Sequence, residues 1–287
     1  MLKINSRKIK IIITLALLSI IIYLSFLYFF SKQIKELKIS FIDCGQADAI
    51  LIQTPQNHNV IIDFGDDKGL AELNKKVPWW NKKINLMIIT HPHDDHILGM
   101  ISILKKYQVQ KIMYTGVLHY SPVYLELLEE IKKQKIPLLI PQKNQIVNLG
   151  KDCNLKILYP IESFQGKEIA NINNSSIVSK LECANKKFLF MGDAEIEVEN
   201  ELLANNSDLK SDVLKAGHHG SITSSQTKFI EKVKPEIVII MVGKNNKFNH
   251  PSLRTLKRFQ KLEIKTFRTD LDGTITIISD GQNIYLE

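Results

Sequence analysis

Six residues, His91-Pro92-His93-Asp94-Asp95-His96, hold three of the chain's eight histidines and two carboxylates. Imidazole nitrogen and carboxylate oxygen are donors that grip divalent ions such as Zn²⁺. In an extended segment alternate side chains share a side, so the spacing predicts His91 and His93 on one ion, with Asp95 and His96 turned toward a second. A solvated polar loop is the bland alternative, and it suits a lone histidine better than three in six residues. Two adjacent ions generate a nucleophile at neutral pH and neutralise charge on the group under attack. The expected chemistry is hydrolysis by a metal-bound hydroxide, with Asp95 counted as catalytic as well as a ligand.

Such a centre needs further ligands from other strand ends. Asp193, in Gly192-Asp193-Ala194 beyond the strand-like run 187–191, is expected to bridge both ions. In Gly217-His218-His219-Gly220-Ser221 one imidazole completes the second site, with His218 preferred and His219 the alternative. Asn249-His250-Pro251-Ser252 precedes a basic helical pattern, where free amides suit a phosphate. His250 is the expected proton donor or phosphate ligand, and Lys244 and Ser221 are the other expected substrate-binding residues. Trp79 and Trp80 offer base stacking, although two aromatics after Pro78 suit simple packing as well.

Elements must bring these pieces together. From Leu37 onward short β-branched runs recur, among them 37–42, 49–53, 59–64, 85–90, 187–191, 212–215 and 237–242. These read as strands. Helical patterns lie between several of them, at 97–107, 122–135, 195–204, 225–233 and 251–262. Strands first, then strands alternating with helices, predict two sheets sandwiched between helical layers.

The chain has 287 residues, 44% hydrophobic and 24% charged, which excludes a disulfide-stapled mini-protein and intrinsic disorder. Cys44, Cys153 and Cys183 are far apart without CxxC spacing, so neither a disulfide framework nor a thiolate zinc site is expected. Of the formal charge of +8, residues 1–36 carry +5, so bulk charge alone does not mark a polyanion as substrate. The stretch 11–30 is uncharged and covers ~30 Å as a helix, the thickness of a bilayer core. It predicts a single-pass anchor, giving an anchor segment 1–36, a hydrolase domain 37–287, the membrane as a partner, and a cell-membrane location with the catalytic domain outside. The sequence points to no protein partner.

The loop, as His91, His93, Asp95 and His96, resembles the HxHxDH motif of the metallo-β-lactamase superfamily. Phe41-Ile42-Asp43-Cys44-Gly45-Gln46-Ala47-Asp48-Ala49, Gly192-Asp193-Ala194-Glu195, 212–221 and 242–251 extend the likeness to the soluble domain of ComEC-type DNA-uptake competence proteins and their stand-alone relatives. The resemblance spans residues 37–287 and implies an αββα fold and metal-dependent hydrolysis. It does not extend to the many-helix channel of the full competence protein. One departure concerns the mid-chain histidine that many members use on the first ion. Between His96 and His218 only His119 is available, and its setting does not match. The competence branch carries an Asn/Ser stretch there, here Asn171 to Ser176, where Asn174 offers a neutral oxygen. That donor set shifts the expectation toward Mn²⁺ relative to Zn²⁺. The expected cofactors are two divalent ions, Zn²⁺ or Mn²⁺, and the expected activity is phosphodiester cleavage in extracellular nucleic acid. Hydrolysis of a small ester, lactone or β-lactam is the alternative, followed by a non-catalytic binding module.

Overall fold

Ala49–Gln53 and Asn59–Phe64 are buried at every position and so have both faces covered. The computed structural model, which describes residues 6–31, 36–78 and 80–287 and, within the first helix, the side chains of 7 and 9–25, shows how. One sheet has the strand order Ile284–Leu286, Ile275–Ser279, Leu37–Phe41, Ala49–Gln53, Asn59–Phe64, Leu86–Ile89, Ile112–Tyr114 and Leu138–Leu139. The second runs Lys265–Arg268, Ile237–Ile240, Val213–Lys215, Lys186–Phe190, Val178–Cys183, Cys153–Tyr159 and Ile146–Asn148.

The period of two sorts the side chains. Ile50, Ile52, Ile62 and Ile88 meet Leu155, Leu181, Phe188 and Ile239 between the sheets. Leu51, Ile61, Met87 and Ile89 point the other way, against the helices Asp94–Lys106 and Pro122–Gln134. Leu189, Leu214 and Val238 cover the outer face of the second sheet together with Val198, Phe229 and Phe259 from its own helices. Each fully buried side chain of this kind contributes about 1.5–3 kcal/mol. The result is the expected helix-sheet-sheet-helix sandwich.

The helix expected at 97–107 starts earlier, at Asp94. Its first turn therefore carries Asp94, Asp95 and His96, where carboxylates favour the positive end of the helix dipole, and only His91 to His93 lie ahead of it. Pro251 stands ahead of its helix, which spans Leu253–Lys261 with the Ser252 hydroxyl accepting from Arg254 N.

Two expectations are corrected. Among the described residues no helix is long and apolar enough to cross a membrane. The first helix is Ser6–Ser31. The single-pass anchor over 11–30, the membrane as partner and the cell-membrane location with an outside catalytic domain are withdrawn on this finding. Residues 1–5 and 32–35 of the expected anchor segment, and Trp79 with its expected stacking, lie outside the described residues. Second, Cys153 and Cys183 are bonded to each other. Antiparallel pairing of their strands sets the two directly opposite, a juxtaposition that sequence spacing alone does not reveal.

Candidate metal centre

Neighbouring strands of each sheet end at one edge of the sandwich and deliver the polar residues there. Asp63 closes Asn59–Phe64, His91 follows Leu86–Ile89, Asp193 follows Lys186–Phe190, and Lys215 closes Val213–Lys215 ahead of His218 and His219. Asp63, His91, His96, Asp193, Lys215 and His219 are all buried. Asp63, His218 and His219 have positive φ of 54°, 45° and 50°, a conformation that costs non-glycine residues energy and recurs at functional sites.

His91 Nε2 lies 3.1 Å from His93 Nδ1. Two donors with ~2.0–2.1 Å bonds to one tetrahedral ion stand about 3.3 Å apart, so this pair fits a shared cation. His96 Nε2 is 3.3 Å from Asp193 Oδ2, and His219 Nε2 is 3.4 Å from that same oxygen and 3.3 Å from Asp95 Oδ2. Asp193 thus stands between two imidazoles, as a bridging carboxylate must. Among the described residues, His91, His96 and Asp193 form one group able to hold an ion, and Asp95, His96 and His219 another. His96 Nε2 and Asp193 Oδ1 are buried without hydrogen-bond partners, which is costly unless a cation satisfies them. Borderline nitrogen and hard oxygen donors together suit Zn²⁺ or Mn²⁺.

A second layer aims these ligands. Asp63 Oδ2 accepts from His96 Nδ1 at 2.8 Å, and Asp63 also accepts from the Thr90 amide and hydroxyl at 2.8 and 2.6 Å. Met241 O lies 2.8 Å from His219 Nδ1. Ser176 Oγ accepts from the Asp193 amide at 3.0 Å and sits 3.3 Å from His91 Nδ1. Lys215, fully buried, contacts Asp48 directly, donates to Gly192 O at 2.9 Å and lies 3.7 Å from Asp193 Oδ1. The loop is also fixed in depth. A Cβ on Gly65 would come 1.7 Å from Asp95 O, and that carbonyl accepts from Asp48 N at 3.1 Å.

Electrostatics follow from this crowding. Burial alone would lower the pKa of His96, but Asp193, Asp63 and Asp95 together raise it well above an ordinary imidazole. Burial likewise opposes protonation of His219, and Asp193, Asp95 and Asp48 reverse it. Burial would raise the Asp193 carboxyl, yet His219, His96 and Lys215 hold it well below the usual range. His91, by contrast, is pushed far down by burial and by His96. A divalent ion competes with protons for the same lone pairs.

Not every expected residue joins the cluster. His218 is turned aside, with Nδ1 2.9 Å from Glu195 Oε1 and Nε2 4.0 Å from Asp193 Oδ2, so of the two neighbours it is His219 that falls in a group able to hold an ion. Asn174 uses its oxygen on the Glu195 amide at 3.0 Å and its nitrogen on Glu197 at 3.2 Å. Asn173 lines the cleft instead, with Oδ1 buried and without a partner. Ser221 serves its own turn, its hydroxyl 3.0 Å from that of Thr223. Lys244 and Trp80 are exposed and do not line the cleft, whereas Lys247 does. His250 stacks on Phe248, with ring centroids 5.9 Å apart. Burial, His218 and His219 push its pKa down to about 4, so it is neutral at pH 7 and suited to hydrogen bonding rather than to proton donation. Asp63, Asp48, Lys215, Glu195 and Asn173 carry roles that sequence reasoning did not assign. A carboxylate closing an apolar strand and a lysine inside one are the signals that mark Asp63 and Lys215.

Above the ligands lies a cleft of about 570 Å³ lined by residues including Gln46, His93, Asp95, Asn173, Lys247 and Phe248. It adjoins a groove of about 600 Å³ with which it shares His93 and His119.

The family profile of the metallo-β-lactamase superfamily matches residues 42–244. The chain belongs to the metallo-β-lactamase superfamily. Members of this superfamily are generally metal-dependent hydrolases, and its fold commonly binds divalent metals. The chain is 30% identical over 258 residues to ComE operon protein 3 of Bacillus subtilis, covering 84% of this chain and 33% of that protein. It is 26% identical over 245 residues to competence protein ComA of Neisseria gonorrhoeae, covering 84% and 32%. It therefore spans about a third of the length of these relatives, which bear out the resemblance to ComEC-type proteins. The fold likeness extends to YhfI, a metallo-β-lactamase fold protein of Bacillus subtilis, with a TM-score of 0.51 at 11% identity over 81% of this chain and 95% of that one.

Proposed function

We propose that this superfamily member is a phosphodiesterase acting on nucleic acid, with two divalent ions, Zn²⁺ or Mn²⁺, held by His91, His93, Asp95, His96, Asp193 and His219. The observation that carries the reading is the position of Asp193 Oδ2, 3.3 Å from His96 Nε2 and 3.4 Å from His219 Nε2. Such a pair of ions supplies a nucleophile at neutral pH and offsets charge that builds on a phosphoryl group. The chain's own residues do the rest. Asp63 and the Met241 carbonyl fix the imidazole tautomers so that each Nε2 faces the centre. Lys215 holds Asp48 and approaches Asp193 as a fixed positive charge. Lys247 at the rim meets an anionic backbone, and neutral His250 lies beside it as a hydrogen-bonding group. Nucleic acid as the polymer is favoured by similarity to relatives named as a competence protein and a recombination protein and by the fit of a cationic centre to an anionic diester.

The test is to load the purified full chain with Mn²⁺ or Zn²⁺ and offer bis-p-nitrophenyl phosphate, single-stranded DNA and nitrocefin. Cleavage of the diester and the DNA is expected. Rapid nitrocefin turnover without diester cleavage would transfer the reading to small-molecule hydrolysis.

A further inference from the structure

Gln46 belongs to Phe41-Ile42-Asp43-Cys44-Gly45-Gln46-Ala47-Asp48-Ala49, a segment whose glutamine has no part in holding metal. It sits between the strands Leu37–Phe41 and Ala49–Gln53 and lines the cleft beside His93, Asp95, Asp193 and Lys247. Its Oε1 accepts the Gly243 N–H at 3.0 Å. That bond decides which way the amide faces, because the reversed amide would set one N–H against another. The backbones close up around it, since a Cβ on Gly243 would come 2.5 Å from Gln46 N and 2.9 Å from Gly45 C. The oriented amide leaves Nε2 buried and without a hydrogen-bond partner. A buried donor with no acceptor carries a desolvation penalty, which an acceptor oxygen brought within hydrogen-bonding distance would remove.

We infer that Gln46 is a substrate-binding residue whose Nε2 donates to a non-bridging oxygen of the phosphoryl group being hydrolysed. The identity of that ligand rests on the phosphodiesterase reading. A neutral amide suits the position, because it offers a proton to an anionic oxygen without becoming a fixed partner of Asp95 or Asp193. Gly243 N–H supplies the orientation, and the loop carrying Lys247 and Phe248 is hooked to the same side chain.

Two substitutions separate donation from loop hooking. Q46A removes both, whereas Q46E keeps an oxygen for Gly243 N–H, removes the donor and adds a negative charge, so its loss is read beside that of Q46A. Binding of inorganic phosphate to the metal-loaded full chain is measured by calorimetry, with metal content and bis-p-nitrophenyl phosphate turnover followed on the same samples. Q46A is expected to weaken phosphate binding about tenfold, the size of one hydrogen bond to a charged ligand, and Q46E at least as much, with metal content unchanged. Q46E binding phosphate as tightly as the wild type would overturn the inference, as would a wild type that binds no phosphate. Phosphate binding that depends on Gln46 in a chain that leaves the diester intact would keep the donor and remove the phosphodiesterase reading. Diester cleavage with phosphate binding unchanged in both variants would do the reverse.

Discussion

Asp63 Oδ2 and His96 Nδ1 face each other at 2.8 Å, and both side chains are buried. The carboxylate at the end of one strand thereby sets the direction of an imidazole in the first turn of a helix. Replacing Asp63 by Asn keeps the shape and loses the acceptor that holds the ring. Affinity for Zn²⁺ or Mn²⁺ should drop by about 10–100-fold, as read from competition with a chromogenic chelator. Unchanged affinity would mean that the ring is held by packing alone.

The two adjacent histidines should separate cleanly. His219→Ala is expected to lose metal, because Nε2 is 3.3 Å from Asp95 Oδ2 and 3.4 Å from Asp193 Oδ2. His218→Ala should retain it, since its ring engages Glu195 at 2.9 Å. Elemental analysis of both purified variants decides the matter, and a larger loss in His218→Ala would reverse the assignment.

Lys215→Met tests the buried charge balance. The ammonium contacts Asp48 and lies 3.7 Å from Asp193 Oδ1, so its removal leaves buried carboxylate charge uncompensated. A loss of about 3–5 kcal/mol in folding stability is expected, measured by urea denaturation of the full chain. Wild-type stability in this variant would show that the ammonium is not needed to balance the carboxylates.

Glu199 gives a pH signature remote from the metal ligands. It accepts the Ser225 and Gln226 amides ahead of the helix Thr227–Val233, and burial raises its pKa from 4.5 to about 7. A carboxyl with a raised folded pKa contributes stability that is complete below 4.5 and disappears as pH climbs through 7. Relative to Glu199→Gln, the wild type should lose up to about 3 kcal/mol across that window and level off above it. Denaturation curves at pH 5 and pH 8 supply the comparison, and parallel stabilities at the two values would contradict it.

The sandwich was legible because strands such as Ala49–Gln53 are apolar on both faces, and the loop at His91 because five ligand-type side chains crowd into six positions. Asp63 escaped notice because a lone carboxylate after Val60, Ile61 and Ile62 reads as a strand ending, and only the fold brings His96 to it. Lys215 looked like one more strand residue, since nothing local says that Asp48 lies opposite. The choice between His218 and His219 depends on successive left-handed residues at 218 and 219, a backbone detail that residue types do not encode. The Cys153–Cys183 bond depends on strand register, and the span over 11–30 was a reading of composition alone.

The missing side chain of Gly65 leaves the carbonyl of Asp95 resting almost on bare backbone. The cleft therefore has an unyielding floor, welded to the strand that carries Asp63. Redesign for bulkier or slimmer cargo has to remodel the opposite wall, around Lys247 and Phe248, because one added methyl beneath the floor would dislodge the ligands before it changed the shape of the entrance.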